Sequence, residues 1–100
     1  MLNNKVLQLL GLATRAGKTM AGEFLVEKAI KQKKAFLVIV AEDASDNTKK
    51  LFNDKTSFYN IPCFEHATKE ELGKAIGKKQ RASVAVMDKG FATSIIDLLA

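Results

Sequence analysis

Apolar residues recur along the chain with two different periods, which separate the predicted helices from the predicted strands. Residues 2–14 and Leu25–Ile30 carry the spacing of one helical face, and a glycine-containing connection lies between them. Phe36–Val40 is apolar at every position, which indicates a strand covered on both faces. Val84–Met87 has the same character, and Ile61–Phe64 predicts a shorter strand near an edge of the sheet, because Pro62 cannot donate a ladder hydrogen bond.

Polar residues mark where the remaining helices begin. Ser45 or Asp46 is suited to cap a third helix, and Thr68 with Glu71 forms the capping-box pattern of a fourth. Asp88–Gly90 reads as a turn before the last helix. The third helix is predicted to turn one set of residues inward, namely Thr48, Leu51, Phe52, the stem of Lys55, Phe58 and Tyr59.

Helices and strands therefore alternate along most of the chain. Alternation of this kind is typical of an α/β fold in which a mainly parallel sheet lies between two helical layers. One hundred residues is the size of one compact domain. We predict a single three-layer α/β/α sandwich formed by residues 1–100.

Composition narrows the class of protein. The longest apolar run, Ala35–Ala41, is too short to cross a membrane, and the N-terminus lacks the pattern of a secretory signal. Cys63 is the only cysteine and cannot form an internal disulfide, which suits the reducing cytosol. We therefore predict a cytoplasmic protein.

Three stretches carry residue types used in catalysis or ligand binding, and each also has a structural interpretation. Gly11–Thr19 resembles a phosphate-binding loop, but it has five residues between its glycines where that loop has four, and it follows a helical pattern rather than a strand. Its structural interpretation is that the glycines end the first helix and allow the turn that follows. Cys63 and His66 could form a nucleophile and its base, although a cysteine in a strand usually packs as a small hydrophobe. One Cys and one His leave a zinc site short of ligands, so we predict no metal site and no cofactor.

Acidic residues cluster after the central strand, at Glu42, Asp43 and Asp46. Paired carboxylates can bind Mg²⁺ or act as acid and base. The stronger interpretation is that they shape a turn and lie at the positive end of the third helix.

The positive charges are unevenly distributed. Lys and Arg number 16 against 11 Asp and Glu, a net charge of +5, and 11 of those 16 lie in residues 1–22, 28–34 and 74–81, which contain no carboxylate. Such clusters are the electrostatic footprint of a polyanion site, although basic residues also favour helix C-termini.

Several short motifs, taken in order, resemble the kink-turn-binding ribosomal proteins of the L-seven-Ae type, and most closely their small bacterial YlxQ-like branch. The matching pieces are Gly11-Leu12-Ala13, Arg15-Ala16-Gly17-Lys18, Gly22-Glu23, Ala41-Glu42-Asp43-Ala44-Ser45 with Asn47-Thr48, Leu72-Gly73 with Ile76-Gly77, and Asp88-Lys89-Gly90-Phe91-Ala92. The resemblance implies an α/β/α sandwich with a mixed, four-stranded sheet, and hence a further short strand around Lys18–Ala21. It also implies that the start of the second helix enters a kinked RNA and that the loop before the last strand covers an unstacked base.

The resemblance implies which residues of this chain contact RNA or shape the RNA-binding site. These are Arg15, Lys18, Gly22, Glu23, Phe24, Lys28, Glu42, Asp43, Lys78, Lys79, Gln80 and Arg81. In the family pattern Gly-x-Asn-Glu-x-x-Lys, Gly22 and Lys28 match, whereas Phe24 and Leu25 replace the residues that read base edges. Either a one-residue slip brings Glu23 or Glu27 into that role, or Phe24 stacks on a base, or Phe24 packs in the core or at its rim.

The leading hypothesis is a monomeric, non-catalytic protein that binds a kink-turn or similarly bent RNA, ribosomal RNA included, and neither DNA nor a membrane. The alternative is a protein-interaction module that uses the same basic surface, with Phe24 or Tyr59 as an apolar anchor. A third hypothesis, an enzyme acting on a small anion, has the right fold class but lacks a convergent acid, base and nucleophile.

Overall fold

The computed structural model describes residues 4–100, which form five helices and four strands. In chain order the elements are α1 (Lys5–Arg15), β1 (Thr19–Ala21), α2 (Glu23–Lys31), β2 (Leu37–Val40), α3 (Asp46–Phe58), β3 (Cys63–Glu65), α4 (Lys69–Ala75), β4 (Ser83–Val86) and α5 (Lys89–Leu99). The prediction that Leu2 belongs to the first helix lies outside the described residues. Within them, none of the helices is long and apolar enough to span a bilayer.

The sheet is mixed, with strand order β1-β4-β2-β3. β4 lies antiparallel to both β1 and β2, and only β2 and β3 are parallel. The mixed four-stranded sheet and the extra short strand are thus confirmed, whereas a mainly parallel sheet, expected from alternation alone, is wrong. The reason is that β4 enters between β1 and β2 in the opposite direction, which a periodicity pattern does not encode.

The helices form two layers around the sheet. α1 packs against α4 and α5, and α2 packs against α3. Both central strands, β2 and β4, are buried at every position, as expected for strands covered on both faces. Each helix contributes at least one fully buried large side chain to the core, and the largest from each are Leu10, Ile30, Phe52, Leu72 and Ile95.

Three local predictions are wrong. Phe58 was expected to point inward but is 79% exposed, because its place in the helical repeat puts it on a different face from buried Phe52 and Thr56. Asp88 does not begin a turn. Its carboxylate accepts the N–H of Phe91 at 2.9 Å and caps α5, so its capping preference prevails over the turn signal. Gly11 lies inside α1 rather than ending it.

Candidate nucleic-acid interface

Three segments that are distant in sequence meet at one end of the strands. The N–H of Gly22 donates to the carbonyl of Ser83 at 3.1 Å, and the N–H of Ala41 donates to the carbonyl of Ala82 at 2.9 Å. These bonds join the start of α2, the turn after β2 and the loop before β4. We call this region the Gly22 end of the sheet.

Gly22 sets the geometry of the α2 N-terminus. Its φ of 94° and ψ of 152° fall in a region that only glycine adopts readily. A Cβ added there would meet nothing within 4 Å, so the requirement for glycine is conformational rather than steric. The first intrahelical bond runs from the N–H of Val26 to the carbonyl of Gly22 at 3.0 Å.

The backbone donors at the start of α2 are not used within the described part of the chain. Gly22 has no side chain to cap the helix, so the N–H groups of Glu23, Phe24 and Leu25 remain available at the positive end of the helix dipole. Side chains cap the other four helices, through Asn4, Ser45, Thr68 and Asp88. This difference makes the start of α2 suited to bind an anion.

The side chains of the first turn of α2 project away from the core. Phe24 is 75% exposed and Leu25 is 43% exposed, so the interpretation of Phe24 as a core residue is wrong. One turn later, exposed Lys28 lines the same surface hollow as Phe24, which has a volume of about 300 Å³. An apolar ring, a cation and free N–H groups are therefore grouped on the first two turns of α2.

The basic loop before β4 is held against α4 by close backbone packing. The N–H of Lys78 donates to the carbonyl of Gly73 at 2.8 Å, and Gly77 adopts a positive φ of 74° that reverses the chain. A Cβ on Gly73 would lie 2.1 Å from the carbonyl oxygen of Lys79, so only glycine allows this approach. As a result, Lys78, Lys79 and Gln80 are presented to solvent.

Arg81 differs from its neighbours in being only half-exposed. Its Nη1 donates to the carbonyls of Gln80 at 2.9 Å and Lys79 at 3.3 Å, so part of the guanidinium braces its own loop. Its backbone N–H donates to the carbonyl of Lys69 at 3.1 Å. The other guanidinium N–H groups have no hydrogen-bond partner among the described residues, which leaves them free for a phosphate.

The acidic turn after β2 has a structural role. Asp43 Oδ1 accepts the N–H of Lys69 at 2.8 Å, which ties this turn to the start of α4. The N–H of Glu42 donates to the carbonyl of Ala67 at 2.7 Å, while its carboxylate is exposed. Among residues 4–100, no group of three or more His, Cys, Asp or Glu side chains lies close enough to bind a metal ion.

Two predicted site residues lie at the opposite end of the sheet. The carbonyl of Lys18 accepts the N–H of Met87 at 2.7 Å, beside the start of β1, and exposed Arg15 ends α1 nearby in sequence. Four residue steps along a strand separate Lys18 from Gly22, about 13 Å. Ten of the twelve predicted residues therefore lie at the Gly22 end, on α2 or in the loops joined to it, and Arg15 and Lys18 do not.

The cysteine and histidine do not form a catalytic pair. His66 Nε2 and the Asn4 side-chain nitrogen are 3.0 Å apart, so the imidazole pairs with the cap of α1. Burial raises the pKa of the half-buried Cys63 thiol, and the nearby Glu65 charge adds to this, against a smaller lowering by a hydrogen bond with Thr56. A raised pKa keeps the thiol protonated, which is the opposite of what a nucleophile needs.

Two residues that position the site were not predicted to belong to it. Gly73 allows the basic loop to approach α4, and Lys69 supplies the backbone groups that bind both Asp43 and Arg81. An isolated glycine within a helical pattern was the only available signal for Gly73. The role of Lys69 is carried by its main chain, which its side-chain type does not reveal.

The sequence and the fold are similar to those of known proteins. Residues 4–96 match the profile of the ribosomal protein L7Ae/L30e/S12e/Gadd45 family. RNA-binding protein YlxQ of Bacillus subtilis is 48% identical over 91 residues, 91% of each chain. Large ribosomal subunit protein eL8 of Cenarchaeum symbiosum is 31% identical over 103 residues, covering 96% of this chain and 77% of that protein. A solved structure of a protein with unknown function from Bacillus halodurans has a TM-score of 0.94 at 40% identity, and covers 97% of this chain and 98% of that one.

Proposed function

The chain belongs to the ribosomal protein L7Ae/L30e/S12e/Gadd45 family, and from this premise we propose that it binds a kink-turn or similarly bent RNA through the Gly22 end of its sheet. The observation that carries the proposal is the uncapped start of α2, where free N–H groups and an exposed aromatic ring lie on one turn. The relative named as an RNA-binding protein supports RNA as the ligand.

In the proposed complex the backbone and the side chains of the site have different tasks. The free N–H groups of Glu23, Phe24 and Leu25 bind phosphates where the RNA backbone bends sharply, since the helix dipole favours negative charge there. Lys28, the basic loop and the free guanidinium groups of Arg81 neutralise further phosphates. Arg15 and Lys18 contact phosphates beyond the bend, because they lie at the far end of β1.

In this proposal Phe24 is the residue that contacts a base. An exposed ring at the first turn of α2 can stack on an unpaired base, whereas it cannot make the hydrogen bonds of the Asn that the family pattern has there. Asp43 and Glu42 serve by fixing the turn after β2, which is bonded to the residue that ends the basic loop. The protein thus binds bent RNA with more reliance on shape and phosphate than on base edges.

The remaining features of the proposal follow from the same site. Residues 1–100 act as one RNA-binding domain that is monomeric, cytoplasmic and non-catalytic, with ribosomal RNA among its ligands. A ribosomal protein among the relatives supports the last point. The protonated Cys63 thiol and the pairing of His66 with Asn4 support a non-catalytic role.

A titration with two matched RNAs tests the proposal. One is a kink-turn duplex, and the other is the same duplex with its sheared G·A pairs replaced by Watson–Crick pairs, each followed by fluorescence anisotropy at low salt. We expect tighter binding to the kink-turn. Equal affinities contradict kink-turn recognition, and absence of binding to either at about 50 mM salt contradicts RNA binding, because phosphate contacts are strongest there.

A protein-interaction module is the alternative that the same surface allows. Exposed Phe24 fits an apolar anchor in that case too, but the free N–H groups at the start of α2 favour a ligand rich in anionic oxygens. Affinity capture from a cell extract before and after nuclease treatment separates the two functions. Partners that survive nuclease digestion, together with no binding to purified RNA, support the alternative.

A further inference from the structure

A second concave surface lies along β1 and adjoins the Gly22 end through Leu25 and Lys28. It consists of two adjoining hollows of about 240 and 420 Å³ that share Met20, Lys34 and Met87. The smaller extends over Leu25 and Lys28 on α2, and the larger over Lys18, Lys33 and Phe36. We call this surface the Met20–Phe36 groove.

The groove is rich in unpaired positive charge. Four lysines line it, and all four are exposed: Lys18, Lys28, Lys33 and Lys34. None of them forms an ion pair with another described residue, and no Asp or Glu side chain lines either hollow within residues 4–100. Two acids adjoin lining residues in the sequence, and both are engaged elsewhere: Asp88 caps α5, and Glu27 pairs with Lys31 and Lys55. A surface of this kind is complementary to a polyanion.

The floor of the groove is apolar, which specifies the kind of polyanion. Met20 is 41% exposed and Phe36 is 43% exposed, and half-buried Met87 lies between them in the lining. Phe36 is fixed by its backbone, because its N–H donates to the carbonyl of Val86 at 2.8 Å. Thioether groups and an aromatic ring bind flat aromatic surfaces, and a ligand that combines such surfaces with anionic groups is a nucleic acid whose bases are unpaired.

We propose that the Met20–Phe36 groove binds a single-stranded RNA segment that flanks the structured RNA at the Gly22 end. Lysines 18, 33 and 34 bind its phosphates, and a base stacks on Phe36. β1 connects the two surfaces over about 13 Å, so one RNA molecule can occupy both. The flanking position rests on the proposed function, whereas the affinity of the groove for single strands does not.

The test uses the full chain and three RNA probes. They are a kink-turn duplex, the same duplex with a single-stranded uridine extension on either strand, and the uridine oligonucleotide alone. Phe36→Ala and Lys34→Ala are compared with Phe58→Ala and Lys50→Ala, which remove the same groups from exposed positions on α3. Thermal unfolding of each variant is followed by circular dichroism, so that loss of binding is separated from loss of fold.

We expect one of the two extensions to raise the affinity of the unaltered protein for the duplex. Phe36→Ala should remove that gain, a loss of about tenfold for one stacked base, while binding of the duplex without extension stays unchanged. The α3 variants should bind all three probes as the unaltered protein does. If the duplex does not bind but the oligonucleotide still binds through Phe36 and Lys34, the proposed function fails and the groove assignment stands.

Three results overturn the inference. The first is that neither extension adds affinity and the oligonucleotide does not bind. The second is that Phe36→Ala and Lys34→Ala leave the binding of every RNA probe unchanged but abolish binding of a polyglutamate peptide, which assigns the groove to an acidic protein. The third is equal weakening of the plain and extended duplexes by Phe36→Ala, in a variant that remains folded, which contradicts a separate groove.

Discussion

Gly73 lies so close to Lys79 that a Cβ on the glycine would be 2.1 Å from the lysine carbonyl oxygen. The two residues belong to α4 and to the basic loop that follows it, and the bond from the N–H of Lys78 to the carbonyl of Gly73 holds them together. The position of the loop thus depends on the absence of one side chain.

Gly73→Ala should therefore displace the loop. We expect a loss of about 1–3 kcal/mol in the free energy of unfolding, because the clash is with backbone, together with weaker RNA binding. Urea unfolding and anisotropy measure the two effects. Gly90→Ala is the control, since its methyl group meets only the Asp88 side chain, at 3.2 Å. Equal stability of the Gly73→Ala variant and the unaltered protein would show that the loop yields without cost.

The bond from the N–H of Lys69 to Asp43 Oδ1 should contribute to stability. Asp43→Ala removes the acceptor, and we expect a loss of about 1 kcal/mol in the free energy of unfolding. Asp43→Asn keeps an oxygen acceptor and should lose less. Glu42→Ala, in the same turn, is the matched control because its carboxylate makes no hydrogen bond or ion pair within the described residues. If both alanine variants lose the same amount, the bond to Lys69 does not stabilise the turn.

Much of the fold could be predicted because the signals are local. The cap at Ser45 and the capping box of Thr68 and Glu71 are formed by residues three positions apart, so sequence spacing alone identifies them. Strand direction is different. β1 has only three residues, too few to display a period, and the insertion of β4 beside it depends on pairings such as Met20 with Ala85 that no local pattern encodes. The resemblance to a family supplied the extra strand that periodicity missed.

The candidate site was predictable in its residue types and less so in its arrangement. The cluster of Lys and Arg residues identified the basic loop, and the family motif identified Gly22. The distance between Lys18 and Gly22 could not be predicted, because it depends on β1 being an extended strand. The exposure of Phe24 could not be predicted from the sequence, because Phe24, Leu25 and Val26 are consecutive apolar residues. Any of the three could lie on the buried face of the helix, and the structure buries Val26. Which side faces the core depends on where α2 begins.

Cys63 should make stability depend on pH in alkaline solution. Its folded-state pKa is raised above the ordinary 9.0, so the unfolded chain loses its proton first as the pH rises. The contribution of the thiol is therefore fully present below the unfolded-state pKa and is lost as the pH rises through the folded-state pKa. Urea unfolding between about pH 7 and 10 should show this loss relative to Cys63→Ala, which has no titrating thiol. Parallel curves for the two proteins would contradict the raised pKa.

Reversing the charge of the basic loop should weaken RNA binding without regard to sequence. For Lys79→Glu with Arg81→Glu we expect at least about tenfold weaker binding and a salt slope lower by about 2, since two phosphate contacts are lost. Circular dichroism should report an intact fold, although half-buried Arg81 also braces the loop. Lys50→Glu with Lys89→Glu makes the same change in charge on α3 and α5. Similar weakening in both double variants would indicate a general charge effect rather than contacts made by the loop.

Phe24 is the position where a single substitution should change the mode of recognition. Phe24→Asn supplies the amide that the family pattern has at this point, and a hydrogen bond to a base edge contributes about 1–3 kcal/mol of discrimination. We expect about tenfold greater preference for a kink-turn over the duplex without G·A pairs. Stability should change by less than about 0.5 kcal/mol, because the ring is 75% exposed and takes no part in the core.

Comparison with Phe24→Ala separates stacking from base reading. Removing the ring should weaken binding to the kink-turn by about tenfold if a base stacks on it, whereas Phe58→Ala, which removes a ring exposed to a similar degree on α3, should have no effect. Anisotropy titrations of the unaltered protein and the three variants with the two duplexes give all eight affinities. Should Phe24→Asn raise the affinity for both duplexes equally, base reading at this position is contradicted. Should both variants bind as tightly as the unaltered protein, then Phe24 lies outside the interface and the free N–H groups of α2 bind the RNA without it.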